Sequence, residues 1–310
     1  MSDNSQPKFT SSPLIKSVVA RWMGISPNIR GAFCVIIGAF LLIVMAGLVK
    51  HLGKTLPAFE VLFIRFLAGL IVIFPLVWRL GLKSIKTSKL HLHGARGFVG
   101  FMGNLCFFYA LINISLADTV TIQFSRPLIM IVIAALFLNE IIGFKRGIVT
   151  LLGFGGILLI TKPFGEGFDP WFLVALSGTI FGTGVVLTIK ILSRTEETVT
   201  IMFYFALFTT LLALIPAIFV WQTPSWTEFL LLILTGTLGI IGQGLFTHGI
   251  GLGDTTFVMP FDYMRIVYAF LIGIFWFAET PGWWSYCGSA IIIVSSLYLL
   301  RAENEKINSK

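Results

Sequence analysis

Two stretches decide how this chain folds: Gly97-Phe-Val-Gly100-Phe-Met-Gly103-Asn104 and Gly236-Thr-Leu-Gly239-Ile-Ile-Gly242-Gln243. Each sets glycines at steps of three and ends on a carboxamide, and the second follows the first at an offset of 139. That offset holds without a gap from 97–140 to 236–279, so that Phe107, Arg126 and Glu140 meet Phe246, Arg265 and Glu279. Upstream, Gly38, Lys50 and Phe63 match Gly178, Lys190 and Phe203 at offset 140. One unit is written twice, and each copy carries an arginine inside an apolar segment. Duplicated membrane units with buried charge are the build of carriers made from repeats.

Composition supplies the solvent. Of 310 residues, 56% are hydrophobic and only 12% charged, against about 25% charged in an average soluble protein. A soluble fold of this length has no place to hide so much apolar surface, whereas a bilayer removes the need. The net charge of +8 then reflects orientation in the membrane rather than nucleic-acid binding. Cys34, Cys106 and Cys287 lie in apolar segments without paired spacing, and with His51, His91, His93 and His248 they form no disulfide or zinc pattern. His91 and His93 read as part of a basic loop. No cofactor or metal is expected.

A spanning helix needs roughly 20 mainly apolar residues. Ten candidates follow: 31–50, 58–78, 95–114, 118–138, 144–162, 170–190, 199–221, 227–248, 255–277 and 283–300. With the N-terminus in the cytoplasm, 16 of the 22 Lys and Arg fall on the cytoplasmic side. Only Lys50, Lys54 and Lys162 fall outside, and Arg65, Arg126 and Arg265 lie within spans. This asymmetry predicts an all-α polytopic protein of the cytoplasmic (inner) membrane with both ends in the cytoplasm. Residues 1–30 form an N-terminal tail without the apolar core of a signal peptide, and 14–25 can fold as a short basic amphipathic helix on the membrane surface. Residues 31–162 form the first five-helix repeat, 170–300 the second, and 301–310 a C-terminal tail. An odd number of helices per unit turns the second copy upside down, which places a site near the midplane between the halves.

The chain resembles the drug/metabolite transporter superfamily, in particular its EamA-like branch. The resemblance runs from about residue 31 to 300 and rests on Leu56-Pro-Ala-Phe-Glu-Val-Leu-Phe-Ile-Arg65, Phe107-Phe-Tyr-Ala-Leu111, Pro127 through Asn139-Glu140, Gly153 to Leu159 and Phe277-Ala-Glu279. It implies a pocket lined by helices 1, 3, 4, 6, 8 and 9, and secondary transport of a small organic metabolite. Many members keep a proline near the middle of helices 4 and 9. Here Pro127 is present, but its repeat position is Ile266 and Pro260 lies six residues earlier. The two copies are therefore expected to distort at different depths.

Charge inside the bilayer is costly, roughly 2.5–3.5 kcal/mol per residue at the centre on insertion scales, so Arg126 and Arg265 should face a wet cavity or partners. As functional groups they clamp an anion, because guanidinium stays charged and grips carboxylate or phosphate with two hydrogen bonds; as structural groups they tie helices together. Asp262 stands three residues before Arg265, on the same helical face. It neutralises Arg265, binds a substrate amine or carries a coupling proton. Its repeat position is Gln123, so the cavity holds one acid and two bases, which suits a zwitterion or a carboxylate-bearing metabolite. Phe124 matches Tyr263, Tyr109 matches His248 and Asn104 matches Gln243. These residues complete the candidate substrate site: Arg126, Arg265, Asp262, Tyr263, Tyr109, Asn104, Gln243, Gln123 and His248. Glu60 should lie near water at an outer helix end, Arg65 reads as structural, Glu140 and Glu279 as helix-boundary residues, and Lys50 and Lys190 as side chains snorkelling to opposite membrane faces.

Other classes fit less well. There is no His-Glu-x-x-His, no Gly-x-Ser-Gly and no phosphate-binding Gly-x4-Gly-Lys-Ser/Thr, which argues against an intramembrane enzyme and against direct use of ATP. A channel does not need the inverted duplication with buried charge, and a scaffold has no exposed domain here. The sequence thus predicts a secondary carrier of an amino acid or related zwitterionic or carboxylate compound. The alternative is a larger aromatic or nucleoside-like metabolite, such as the S-adenosylmethionine or riboflavin carried by some members of the family it resembles. The lipid bilayer and a small molecule are the expected partners, with protons as a coupling ion and a homodimer both left open.

Overall fold

The computed structural model describes residues 24–81, 85–137, 144–161, 169–192, 195–252 and 255–308. The surface helix considered within 14–25 falls almost wholly outside these residues, and so does Glu140.

All regular structure among the described residues is helical. The elements are α1 (Pro27–Leu52), α2 (Ala58–Leu80), α3 (Leu90–Asn113), α4 (Leu116–Gln123), α5 (Arg126–Phe137), α6 (Phe144–Thr161), α7 (Trp171–Leu192), α8 (Thr198–Phe219), α9 (Trp226–Leu252), α10 (Thr255–Val258), α11 (Met264–Phe277) and α12 (Trp283–Asn308). A 3-10 turn, Met259–Tyr263, joins α10 to α11. Seven of the described helices are long and apolar enough to cross a membrane on their own. Counting α4–α5 and α10–α11 as one broken leg each, the path has ten legs, five per repeat.

Packing follows the duplication. α1 packs on α9 and its repeat mate α7 packs on α3; α2 pairs with α8, and α6 with α12. Glycine permits two close approaches related by the repeat. A Cβ on Gly38 would lie 2.9 Å from the Gly242 carbonyl oxygen, and one on Gly178 would lie 3.3 Å from that of Gly103. These are one contact made twice, since the four glycines are repeat mates, and small residues let membrane helices meet at backbone distance. The links after α1, between α3 and α4 and after α11 meet at one end, where Lys50 donates to the Ile114 carbonyl and pairs with Glu279 at 2.7 Å. The links after α2 and α7 also meet each other, through Thr87 and Glu196 at 2.7 Å and Lys89 and Thr195 at 3.0 Å.

Several expectations change. Both broken legs resume helix at nearly the same aligned position, Arg126 in one copy and Met264 in the other, so the copies distort at one depth, not two. Pro127 has no N–H to give and disfavours helix in the residue before it, whereas Pro260 starts the 3-10 turn. The prolines differ in register, yet the breaks coincide. His93 is no loop residue: it lies in α3, fully buried, its ring 4.6 Å from that of Tyr204. Lys50 does not snorkel, being 7% exposed and ion-paired; the Lys190 side chain lies outside the described residues. Glu60 is sealed from water and accepts from the Gln222 backbone N–H at 3.0 Å. The C-terminal tail continues α12 as helix to Asn308.

Candidate functional site

The two helix breaks bring the buried charges together. A broken helix leaves backbone groups unpaired, which is tolerated at membrane depth only inside protein or along a cavity. Arg126 opens α5 directly after the first break, and Asp262 lies in the 3-10 turn of the second. Tight 3-10 winding sets residues three apart above one another. Asp262 Oδ1 and Arg265 Nε accordingly meet at 2.6 Å. Arg265 also lies over the Phe246 ring, 4.8 Å from its centroid, where the π face favours a cation.

Arg126 is held differently. Its Nη2 donates to Gln123 Oε1 at 3.1 Å. Its guanidinium rests against α7 where Gly182 leaves room: a Cβ there would come within 3.3 Å of Nε. Arg126 interacts electrostatically with both Asp262 and Arg265, and Asp262 with both arginines. The cluster therefore holds one carboxylate and two guanidinium groups.

Two residues before each arginine stands one member of an aromatic pair. Phe124 and Tyr263 stack with centroids 4.7 Å apart and planes at 28°. Ser296 of α12 donates to the Phe124 carbonyl at 2.9 Å, satisfying a group freed by the break. An aromatic face, fixed positive charge and one carboxylate thus converge on one region at the junction of the two repeats.

Not every candidate joins it. Asn104 lies on α3, where it accepts from Arg65 Nη1 at 3.2 Å and donates to the Gly100 carbonyl at 2.8 Å. Tyr109 lies nearer the end of α3, stacked on Trp171 at 6.0 Å and edge-on to Phe59. With these it lines a separate open cavity of about 400 Å³ that also includes Leu56, Ile112 and Val220. Gln243 and His248 have exposed positions on α9. Phe246, which the repeat aligns with Phe107, and Ser296, midway along α12, are not among the sequence candidates, because one phenylalanine among 30 and a lone serine carry no local signal of a site. The local motifs also gave no sign of the Lys50–Glu279 pair. Its two members are far apart in sequence, and only the repeat, which aligns Lys50 with Lys190 and Glu279 with Glu140, marks both positions.

Known proteins share this architecture. The profile of the EamA-like transporter family matches residues 29–162 and 170–301. An S-adenosylmethionine uptake transporter of Rickettsia bellii is 31% identical over 262 residues, covering 84% of this chain and 90% of the relative. The pseudopaline exporter CntI of Pseudomonas aeruginosa is 30% identical over 278 residues, covering 88% and 96%. A riboflavin transporter of Vibrio cholerae is 28% identical, covering 81% and 85%. A solved crystal structure shares the fold with a TM-score of 0.58 at 18% identity, over 86% of this chain and 96% of the other.

Proposed function

Because the chain belongs to the EamA-like transporter family, whose profile it matches twice, we propose that it is a secondary carrier rather than an enzyme. In this reading it moves a small amphipathic metabolite with a carboxylate across the cytoplasmic membrane by alternating access, with both chain ends in the cytoplasm. The observation that carries it is the Arg126–Asp262–Arg265 cluster at the paired helix breaks. Two guanidinium groups against one carboxylate leave one positive charge to be met by an anion, and Asp262 offers an acceptor for a substrate amine. Inverted repeats rocking about such a site expose it to one side at a time.

The Phe124–Tyr263 stack favours a second element in the ligand, a flat ring. The relatives named for S-adenosylmethionine and riboflavin support that feature. S-adenosylmethionine joins an amino acid to a nucleoside, so a zwitterion and an aromatic ligand need not be rival readings.

The test is thermal stabilisation of the purified protein by amino acids, nucleosides, vitamins and organic acids, with counterflow in proteoliposomes for each hit. A ligand that raises the melting temperature only while Arg265 is present supports the anion clamp. A hit that stabilises Arg265→Ala equally makes Arg265 structural and shifts the substrate class to the stacked aromatic. Absence of counterflow for every hit defeats the carrier reading.

A further inference from the structure

Arg65 is a further cation within the helix bundle, half-buried and without an acid among the described residues. No carboxylate among the described residues pairs with it, and its one hydrogen-bonding side chain is Asn104. Asn104 is already oriented, because its amide nitrogen is spent on the Gly100 carbonyl and its oxygen is left to Arg65. The Phe66 and Phe108 rings flank the guanidinium at 4.7 and 5.3 Å. Arg126 Nε is sealed without a hydrogen bond, but no nitrogen of Arg65 is both sealed and unpartnered. The donors that Asn104 does not take are therefore not completely sealed.

Packing does not require an arginine there. The repeat mate of Arg65 is Phe205 and that of Gly239 is Gly100. Arg65 lies over Gly239, with Nη2 3.2 Å from where a Cβ would stand, and the Phe205 ring lies over Gly100 in the same way. In one half of the molecule an apolar ring fills the niche; in the other a cation does. The α3 segment Gly103–Asn104 links this niche to the central cluster. Asn104 holds Arg65, while Gly103 packs on Gly182, the residue against which Arg126 rests.

We propose that Arg65, oriented by Asn104, is a second anion-recognition point on the substrate path, so that the protein selects ligands bearing two anionic groups. The inference rests on the anion clamp proposed above and extends it. The central cluster carries one uncompensated positive charge and Arg65 another. A ligand with two carboxylates and one amine sets an anion at each arginine site and its amine at Asp262, and lowers the net charge of this region from +2 to +1 in the low-dielectric interior.

The probe pair is N-(carboxymethyl)phenylalanine and its isosteric amide N-(carbamoylmethyl)phenylalanine, which differ only in the second anion. Binding is followed by thermal stabilisation of the full-length protein, and uptake in proteoliposomes. Wild type is expected to prefer the diacid at least tenfold. Arg65→Phe, which copies the Phe205 niche, and Asn104→Asp, which supplies a fixed counter-anion, are expected to abolish that preference, so that diacid and amide bind alike; Arg65→Lys keeps part of it. Equal affinity of wild type for both probes, or a preference that survives in Arg65→Phe and Asn104→Asp, overturns the second anion point and leaves the central clamp standing. Failure of wild type to bind either probe overturns this proposal; failure of the whole carboxylate panel as well overturns the clamp.

Discussion

Phe124 and Tyr263 hold the same position in the two repeats, and their rings stack on each other 4.7 Å apart. Residues related by a two-fold meet their own mates only at its axis, so the pair marks the line about which the two units exchange. Arg126 and Arg265 follow at equal distance along each copy, which is why both reach the same region.

The pair should couple energetically. Offset aromatic pairs contribute about 0.5–1.5 kcal/mol beyond their buried area. Phe124→Ala and Tyr263→Ala are each expected to lower stability, and the double variant by less than their sum, with a coupling in that range. Tyr263→Phe should keep the coupling, since stacking needs the ring and not the hydroxyl. Denaturation of the four forms in detergent checks this, and strict additivity would show that the rings merely sit side by side.

The glycine contacts predict an uneven tolerance of side chains. At Gly38 a Cβ would press on the Gly242 carbonyl, while at Gly244 it would meet nothing within 4 Å. Gly38→Ala should separate α1 from α9 and destabilise by about 1–3 kcal/mol, the usual range for overpacking. Gly244→Ala should be neutral or gain up to about 1 kcal/mol from helix propensity. Melting temperatures of the two variants decide between packing and a general need for flexible helices.

The repeat, the helix order and the two breaks were legible because each leaves a mark at fixed spacing: glycine steps, paired arginines, prolines near mid-helix. The common depth of the breaks was not, since Pro127 and Pro260 are out of register and the chain yields before one proline and from the other onward. Lys50 looked like a terminal lysine until Glu279, from the link after α11, folded onto it. Arg65 looked structural because its niche is made by Gly239 and Asn104, which the sequence places on separate helices of separate repeats. Phe205, its repeat mate, shows which feature is exceptional only once both niches are seen together.

Lys50 and Glu279 should close one end of the molecule. Glu279 also accepts from the Leu116 backbone N–H at 2.9 Å, so one carboxylate holds α1, the α3–α4 link and the end of α11. Removing one partner of a buried pair costs about 3–5 kcal/mol, because the other charge is left uncompensated. Lys50→Ala and Glu279→Gln are expected to lower the melting temperature, and a cysteine at buried Ile114 should react faster with a polar thiol reagent in either background. The exchanged pair, Lys50→Glu with Glu279→Lys, should recover part of the loss. Labelling that does not change would make the pair incidental to closure.

The central cluster yields the sharpest test, because its three charges make opposite demands. Asp262→Asn leaves two guanidinium groups facing each other with no acid between them, so the empty protein should lose stability while affinity for a simple carboxylate rises. Affinity for a zwitterion should rise less or fall, since the acceptor for its amine is gone. Arg265→Ala leaves Asp262 facing Arg126 alone, and carboxylate affinity should fall at least tenfold, about 1.4 kcal/mol. The double variant Asp262→Asn with Arg265→Ala removes the pair whole, and should be more stable than Arg265→Ala because no carboxylate is stranded. Ligand-dependent melting shifts across the four forms separate these outcomes. If Asp262→Asn weakened carboxylate and zwitterion equally, Asp262 would be shaping the site and not balancing its charge.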